Sequence, residues 1–359
     1  MVKYLLIVGL VVIGVFSLVY YKNSRRYIVT SQPFDPVTVR TNDPTNPNAP
    51  FPPIALGVYE PAENILSHGS AVDQYGQKVG KKPAYAWFSV KWQNAKTGDY
   101  QQFDARLLDQ IRTRGIMPGL NWDASRGPAI NKNQPDFSWK SIISGKHDAY
   151  IQQVAAAAAA YHYPFLLRVL PEMNGTWYPW AYNVNGNNNP ADFVTAWKHI
   201  VDIFRKEGAT NVQFVYCQSA LESGKINSNR DKLKQIYPGD DYVDWIALDG
   251  YANSRNNWRS LKDEFQPSYD LLTNLSARPM IFYEVGAAEN PDDPMFKANW
   301  ITQGFLTTIP QQFPRVKAVG WFDGHGDLNT DSYAVDTSQN SLNAWKQVVT
   351  SPLYQAIFP

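Results

Sequence analysis

A chain of 359 residues that is 44% hydrophobic and 18% charged is long enough for one large domain or two small ones, and too apolar to be disordered. Its 33 basic and 32 acidic side chains leave a net charge of +1, which excludes a broad electrostatic footprint for nucleic acid. The single cysteine, Cys217, excludes an intrachain disulfide and a cysteine-built zinc site, and five scattered histidines offer no metal-ligand spacing.

The first element in chain order is an apolar run from Tyr4 to Tyr21, 18 residues without a charge, at the lower end of what spans a bilayer. No small-x-small cleavage pattern and no lipobox cysteine follow it, so residues 1–26 are expected to form an uncleaved signal anchor. Lys22, Arg25 and Arg26 after the run favour a cytoplasmic globular part by the positive-inside rule. An extracytoplasmic domain is nonetheless the expectation adopted. Residues 27–53, with seven prolines among Asn, Asp and Thr, read as an extended tether.

From residue 54 to 359 short apolar runs alternate with amphipathic stretches of helical length. The runs are Ile54–Tyr59, Ala84–Val90, Ile116–Trp122, Phe165–Leu170, Val212–Cys217, Val243–Leu248, Pro279–Tyr283 and Val316–Trp321. The clearest helices are Phe103–Arg114, stopped by Gly115, Asp148–Tyr161 with six consecutive alanines, and Ala191–Glu207, stopped by Gly208. Strands apolar on both faces and separated by helices imply a parallel sheet. Eight of them predict a (β/α)8 TIM barrel, an α/β fold. A doubly wound sheet is the alternative, and no Gly-x-Gly-x-x-Gly or P-loop follows any run to support it.

In such a barrel the site lies at the C-terminal ends of the strands. Those positions hold Tyr59, Asn121 with Trp122, Glu172 with Asn174, Asp249 with Tyr251, Glu284, and Trp321. Two glutamates ending the fourth and seventh runs supply what glycoside hydrolysis requires: one group to protonate the leaving oxygen, another to attack or to activate water. Tyr251 could donate to Glu284, and Arg168 could hold either glutamate. Trp177, Trp180, Trp321 and Trp122 are read as stacking platforms in a groove, for which the chain's 12 Trp, 21 Tyr and 17 Phe provide ample rings. Asn174, Asp249 and Tyr59 are candidate substrate contacts. No metal or organic cofactor is implied, because two carboxylates and water suffice.

The segment Arg168-Val-Leu-Pro-Glu-Met-Asn-Gly-Thr-Trp-Tyr-Pro-Trp180 resembles the strand-4 signature of glycoside hydrolase family 26, the β-mannanase family, whose pattern is Arg-x-x-His-Glu-Met-Asn-Gly-x-Trp. "GVYEP" at 57–61, "VDWIALDGY" at 243–251 and "RPMIFYEVGA" at 278–287 are similar to its strands 1, 6 and 7. The resemblance implies a retaining clan-A enzyme with Glu172 as acid/base, Glu284 as nucleophile, Tyr251 orienting the nucleophile and Trp321 flooring the subsite where the bond breaks. Pro171 stands where the family has histidine. Mixed-linkage β-glucan, β-1,3-xylan or an exopolysaccharide therefore compete with β-mannan as the polysaccharide partner.

The same residues have plainer readings. Glu172 paired to Arg168 could be structural, Tyr251 could merely pack, Trp197 lies on a helical core face, and Cys217 reads as a small buried hydrophobe. A barrel that binds a polysaccharide without cutting it, as an accessory to glycan synthesis or export, is the alternative function. Pro171 favours that reading, and the retained glutamate pair favours the hydrolase.

Overall fold

The computed structural model describes residues 53–66, 71–127, 132–221, 223–324 and 332–359, with the backbone alone for 223–228. The apolar run at 4–21 and the tether up to residue 52 lie outside the described residues. Among the described residues no helix is long and apolar enough to cross a membrane.

Eight parallel strands close on themselves: β1 (Ile54–Tyr59), β2 (Tyr85–Gln93), β3 (Met117–Arg126), β4 (Phe165–Val169), β5 (Val212–Ser219), β6 (Trp245–Ala252), β7 (Met280–Ala287) and β8 (Val316–Trp321). Neighbours pair in sequence order and β1 joins both β8 and β2, so the expected barrel is formed. A two-residue strand, β9 (Tyr354–Gln355), pairs with the start of β1 and has no counterpart in the apolar pattern. Helices cover the outside. The helix Asp148–Tyr161 has the span its composition predicts and ends at His162 in the left-handed region. The helix Pro190–Lys206 is started by Asn189, whose side chain accepts from the Ala191 N–H, with proline at its first turn.

Alternation along the strands divides the core in two. Outward side chains pack under the helices, whereas inward ones, including Tyr85, Trp87, Leu166, Val215, Cys217, Ala247 and Tyr283, fill the barrel. The large rings fit because glycines face them. A Cβ on Gly57 would lie 2.3 Å from the Tyr85 ring, and one on Gly320 would lie 2.4 Å from both the Tyr85 hydroxyl and the Tyr283 carbonyl oxygen.

β3, β6 and β7 each run four residues beyond their apolar segments, to Arg126, Ala252 and Ala287. The extensions are polar or small, which hides them from a hydrophobic pattern, but their backbones keep pairing. They carry Asp123, Asp249, Tyr251 and Glu284 to the rim.

Candidate active site

The chain leaves β4 through a tight turn in which Leu170 and Glu172 both take positive φ, 45° and 52°, on either side of Pro171. Non-glycine residues pay a steric penalty there, and such backbone persists only where its surroundings enforce it. The enforcing bonds are the Glu172 N–H to the Cys217 carbonyl at 2.9 Å, the Gly175 N–H to the Glu172 carbonyl at 2.9 Å, and the Trp180 indole N–H to the Pro171 carbonyl at 2.6 Å. The Glu172 carboxyl is buried, and its Oε2 accepts from Trp177 Nε1 at 2.7 Å. Burial, then the nearby Glu284 charge, push it up to about 7, against the opposing pull of Arg168 and the Trp177 N–H.

Glu284 is aimed by an irregularity in β7. Leu248 pairs with Phe282 but Asp249 pairs with Glu284, so β7 carries one extra residue at this point and turns the glutamate relative to a regular strand. Its Oε1 accepts from Arg168 Nη1 and from Asn121 Nδ2, the latter at 3.2 Å, and its Oε2 accepts from the Tyr251 hydroxyl at 2.6 Å. Burial and the Glu284 charge raise the Tyr251 phenol well above its ordinary value, so it stays protonated and donates. The two carboxyls therefore live in different surroundings: one largely desolvated, the other held by a cation and two neutral donors.

Arg168 is buried under both. Its Nη2 donates to Asp249 Oδ2, its Nη1 to Glu284, and its guanidinium lies 4.9 Å from the Tyr283 ring centroid. Asp249 in turn accepts from the Glu284 backbone N–H at 3.0 Å and from Cys217 Sγ at 3.2 Å. With its side chain fully buried, Asp249 is a brace beneath Glu284 and cannot touch a sugar, contrary to the expectation from its strand-end position.

Three of the four expected platforms are also core. Trp122 donates to the Tyr150 hydroxyl and packs on Trp92, Tyr150 and Phe204. Trp180 is buried against Tyr178, and Trp321 donates to the Tyr333 carbonyl among Trp300, Phe305 and Trp345. None presents a face to the mouth, because helices or returning loops cover each strand end from outside. Trp177, by contrast, is 38% exposed. Asn174 is half-buried; its Nδ2 donates to the Ser219 carbonyl and its Oδ1 accepts from the Ser219 N–H, so it clips the loop to β5.

Tyr59 is half-buried at the mouth, stacked on Phe322 with centroids 4.6 Å apart and planes 13° apart. Its hydroxyl is raised by burial and by Glu284. Phe322 is the ring that β8 offers beside the site, one position after the tryptophan expected there. Asn121 as a donor to Glu284 was signalled only by being a polar residue ending an apolar run.

The profile of glycosyl hydrolase family 26 matches residues 128–308. Endoglucanase H of Acetivibrio thermocellus is 31% identical over 291 residues, covering 76% of this chain and 30% of that protein. The mannan endo-1,4-beta-mannosidase of Bacillus subtilis strain 168 is 32% identical over 225 residues, covering 60% of this chain and 56% of its own length. The chain thus spans about a third to about half of these curated relatives. A GH26 β-mannanase structure from Bacteroides ovatus superposes with a TM-score of 0.62 at 18% identity, covering 84% of this chain and 90% of the other, which speaks for the fold.

Proposed function

The chain belongs to glycosyl hydrolase family 26, and from that premise we propose that it is a retaining endo-β-glycanase acting by double displacement. The observation that carries this reading is the contrast between the two carboxyls. Glu172, raised to about 7 by burial and by Glu284, holds a proton near neutrality and gives it to the glycosidic oxygen. Glu284, whose two oxygens accept from Arg168, Asn121 and Tyr251, attacks the anomeric carbon as a carboxylate while the aglycone leaves. Glu172, now ionised, takes a proton from the water that hydrolyses the glycosyl ester and is restored. Trp177 lies beside the acid and offers its exposed ring to the sugar on the leaving side.

For the substrate we favour a β-glucan with mixed linkages over β-mannan. Pro171 has no side-chain donor where the family pattern carries histidine, and its carbonyl is engaged by Trp180, so residue 171 offers no polar contact to a sugar. A curated relative matched over 291 residues is an endoglucanase by name. The apolar run at 4–21 adds a place: a barrel tethered to a membrane on the extracytoplasmic side. Protease accessibility of the barrel in intact cells tests that placement.

The full-length protein, incubated with mixed-linkage β-glucan, β-mannan, β-1,3-xylan and cellulose, should release reducing ends from the first and yield the β-anomer initially by NMR. Glu172→Gln and Glu284→Gln should each abolish release. Binding of a polymer with no cleavage would overturn the hydrolase reading, and initial α-anomer would overturn retention.

A further inference from the structure

We infer that Tyr333 is a positioning residue that sets the Tyr251 hydroxyl on Glu284, an inference that rests on the role proposed above for Glu284. Tyr251 reaches Glu284 Oε2 at 2.6 Å from a position two residues past the β6 brace Asp249, one residue before the end of the strand, where backbone pairing fixes the main chain but not the ring. Three contacts fix its ring. Phe322 meets it edge-on, with centroids 5.8 Å apart at 85°. Gly286, its register partner on β7, leaves the space behind it. The Tyr333 ring packs against it with centroids 4.7 Å apart.

Tyr333 is itself anchored at every polar atom. Its N–H donates to the Gly324 carbonyl at 2.8 Å, its carbonyl accepts from Trp321 Nε1 at 2.8 Å, and its hydroxyl accepts from Asn253 Nδ2 at 2.9 Å. Asn253 belongs to the turn that follows β6, where its side chain also accepts from the Arg255 N–H at 2.9 Å and its own N–H donates to Asn256 Oδ1 at 3.0 Å. Asn256 reaches back to the Tyr251 carbonyl. The segment after β8 and the turn after β6 are thereby pinned to each other across the tyrosine that joins them. Trp321, buried as core, acquires a purpose at the strand end: its indole N–H holds the Tyr333 backbone in place.

Gly286 shows how closely the pair is fitted. A Cβ there would lie 3.0 Å from Cδ1 of Tyr251 and 3.0 Å from Cδ1 of Tyr333, so alanine would press on both rings at once. Only glycine at this position lets the two tyrosines share the space two residues beyond Glu284.

The test is a double-mutant cycle read by kinetics and by crystallography. Tyr333→Leu should lower kcat by roughly tenfold to a hundredfold, as misplacement of a catalytic partner does, with KM changed by less than about threefold. Tyr333→Phe, which keeps the ring and loses the hydroxyl's bonds to Asn253 and Arg255, should recover most of that rate, and Gly286→Ala should reproduce part of the loss from the opposite side. In a Tyr251→Phe background Tyr333→Leu should cost no further kcat, because the hydroxyl it positions is already gone. An undiminished loss in that background overturns the inference and leaves Tyr333 as packing. Crystal structures supply a readout independent of turnover: in Tyr333→Leu the Tyr251 hydroxyl should have left hydrogen-bond distance of Glu284, and its retention there overturns the inference even if the wild-type protein cuts no glycan, an outcome that would instead overturn the hydrolase reading.

Discussion

The indole N–H of Trp177 donates to Oε2 of Glu172 at 2.7 Å, so an exposed ring is tied directly to a buried carboxyl. A donor to a carboxylate stabilises the ionised form. One side chain thus combines a stacking surface with control of a proton.

Trp177→Phe keeps an aromatic face and removes the donor. The ionised form of Glu172 loses support, its pKa rises further, and the alkaline limb of kcat/KM should move to higher pH. A limb that stays in place would show that the N–H does not tune the acid.

In the wild-type protein Glu172 is raised to about 7, so the acid is protonated below that pH and lost above it. Rate on a natural polymer should fall as pH rises through about 7. Aryl β-glycosides whose leaving group needs no proton should show no such limb, and Glu172→Ala should retain their first step while losing roughly 10²- to 10⁴-fold on the polymer. An equal loss on both substrates would remove Glu172 from the acid role.

Arg168 is 1% exposed and paired to both Asp249 and Glu284. Arg168→Met leaves two carboxyls without their cation and should cost about 3–5 kcal/mol in denaturant unfolding. Lysine, a single compact charge, should recover only part of it, because it cannot fork between two carboxylates. Full stability in Arg168→Lys would contradict the bidentate picture.

Trp321 and Phe322 are neighbours with opposite duties. Trp321→Ala should destabilise by roughly 3–5 kcal/mol while the surviving protein keeps its KM. Phe322→Ala, removing the ring stacked on Tyr59, should raise KM with a smaller loss of stability. The reverse pattern would return Trp321 to the groove.

Glu60, at the end of β1, is raised from 4.5 to about 8 by burial and then by Asp323, with Lys78 opposing. The folded state therefore holds a proton that the unfolded chain releases, and stability falls as pH rises from about 4.5 through about 8. Glu60→Gln removes that dependence, so its Tm should exceed the wild-type value by more at pH 8 than at pH 5. An identical gap at both values would mean that Glu60 does not titrate with folding.

The barrel was legible because its signals are local. Ile54–Tyr59 and Val316–Trp321 are apolar runs whose ends coincide with the strands they form, and Asp148–Tyr161 is a helix by composition alone. The placement of Glu172, Glu284 and Tyr251 at one mouth followed from strand ends in a closed parallel sheet, where Glu284 accepts from Tyr251 and from Arg168 and its charge acts on Glu172. The extensions of β6 and β7 lay beyond the apolar runs, and only the resemblance to the family's strands 6 and 7 covered them.

What the sequence determined by itself is the repeating unit, the closure it implies and the rim positions that carry carboxylates, because each depends on side chains a few residues apart. What only the tertiary structure decided is which rim residues see the groove. Trp122, Trp180 and Trp321 are covered by Tyr150, Tyr178 and Tyr333, and Asp249 is sealed beneath Glu284 by Arg168 and Cys217. Whether a ring or a carboxyl at a strand end is solvent-facing or core depends on partners as far as 81 residues away along the chain, and no apolar run encodes what will be folded over it.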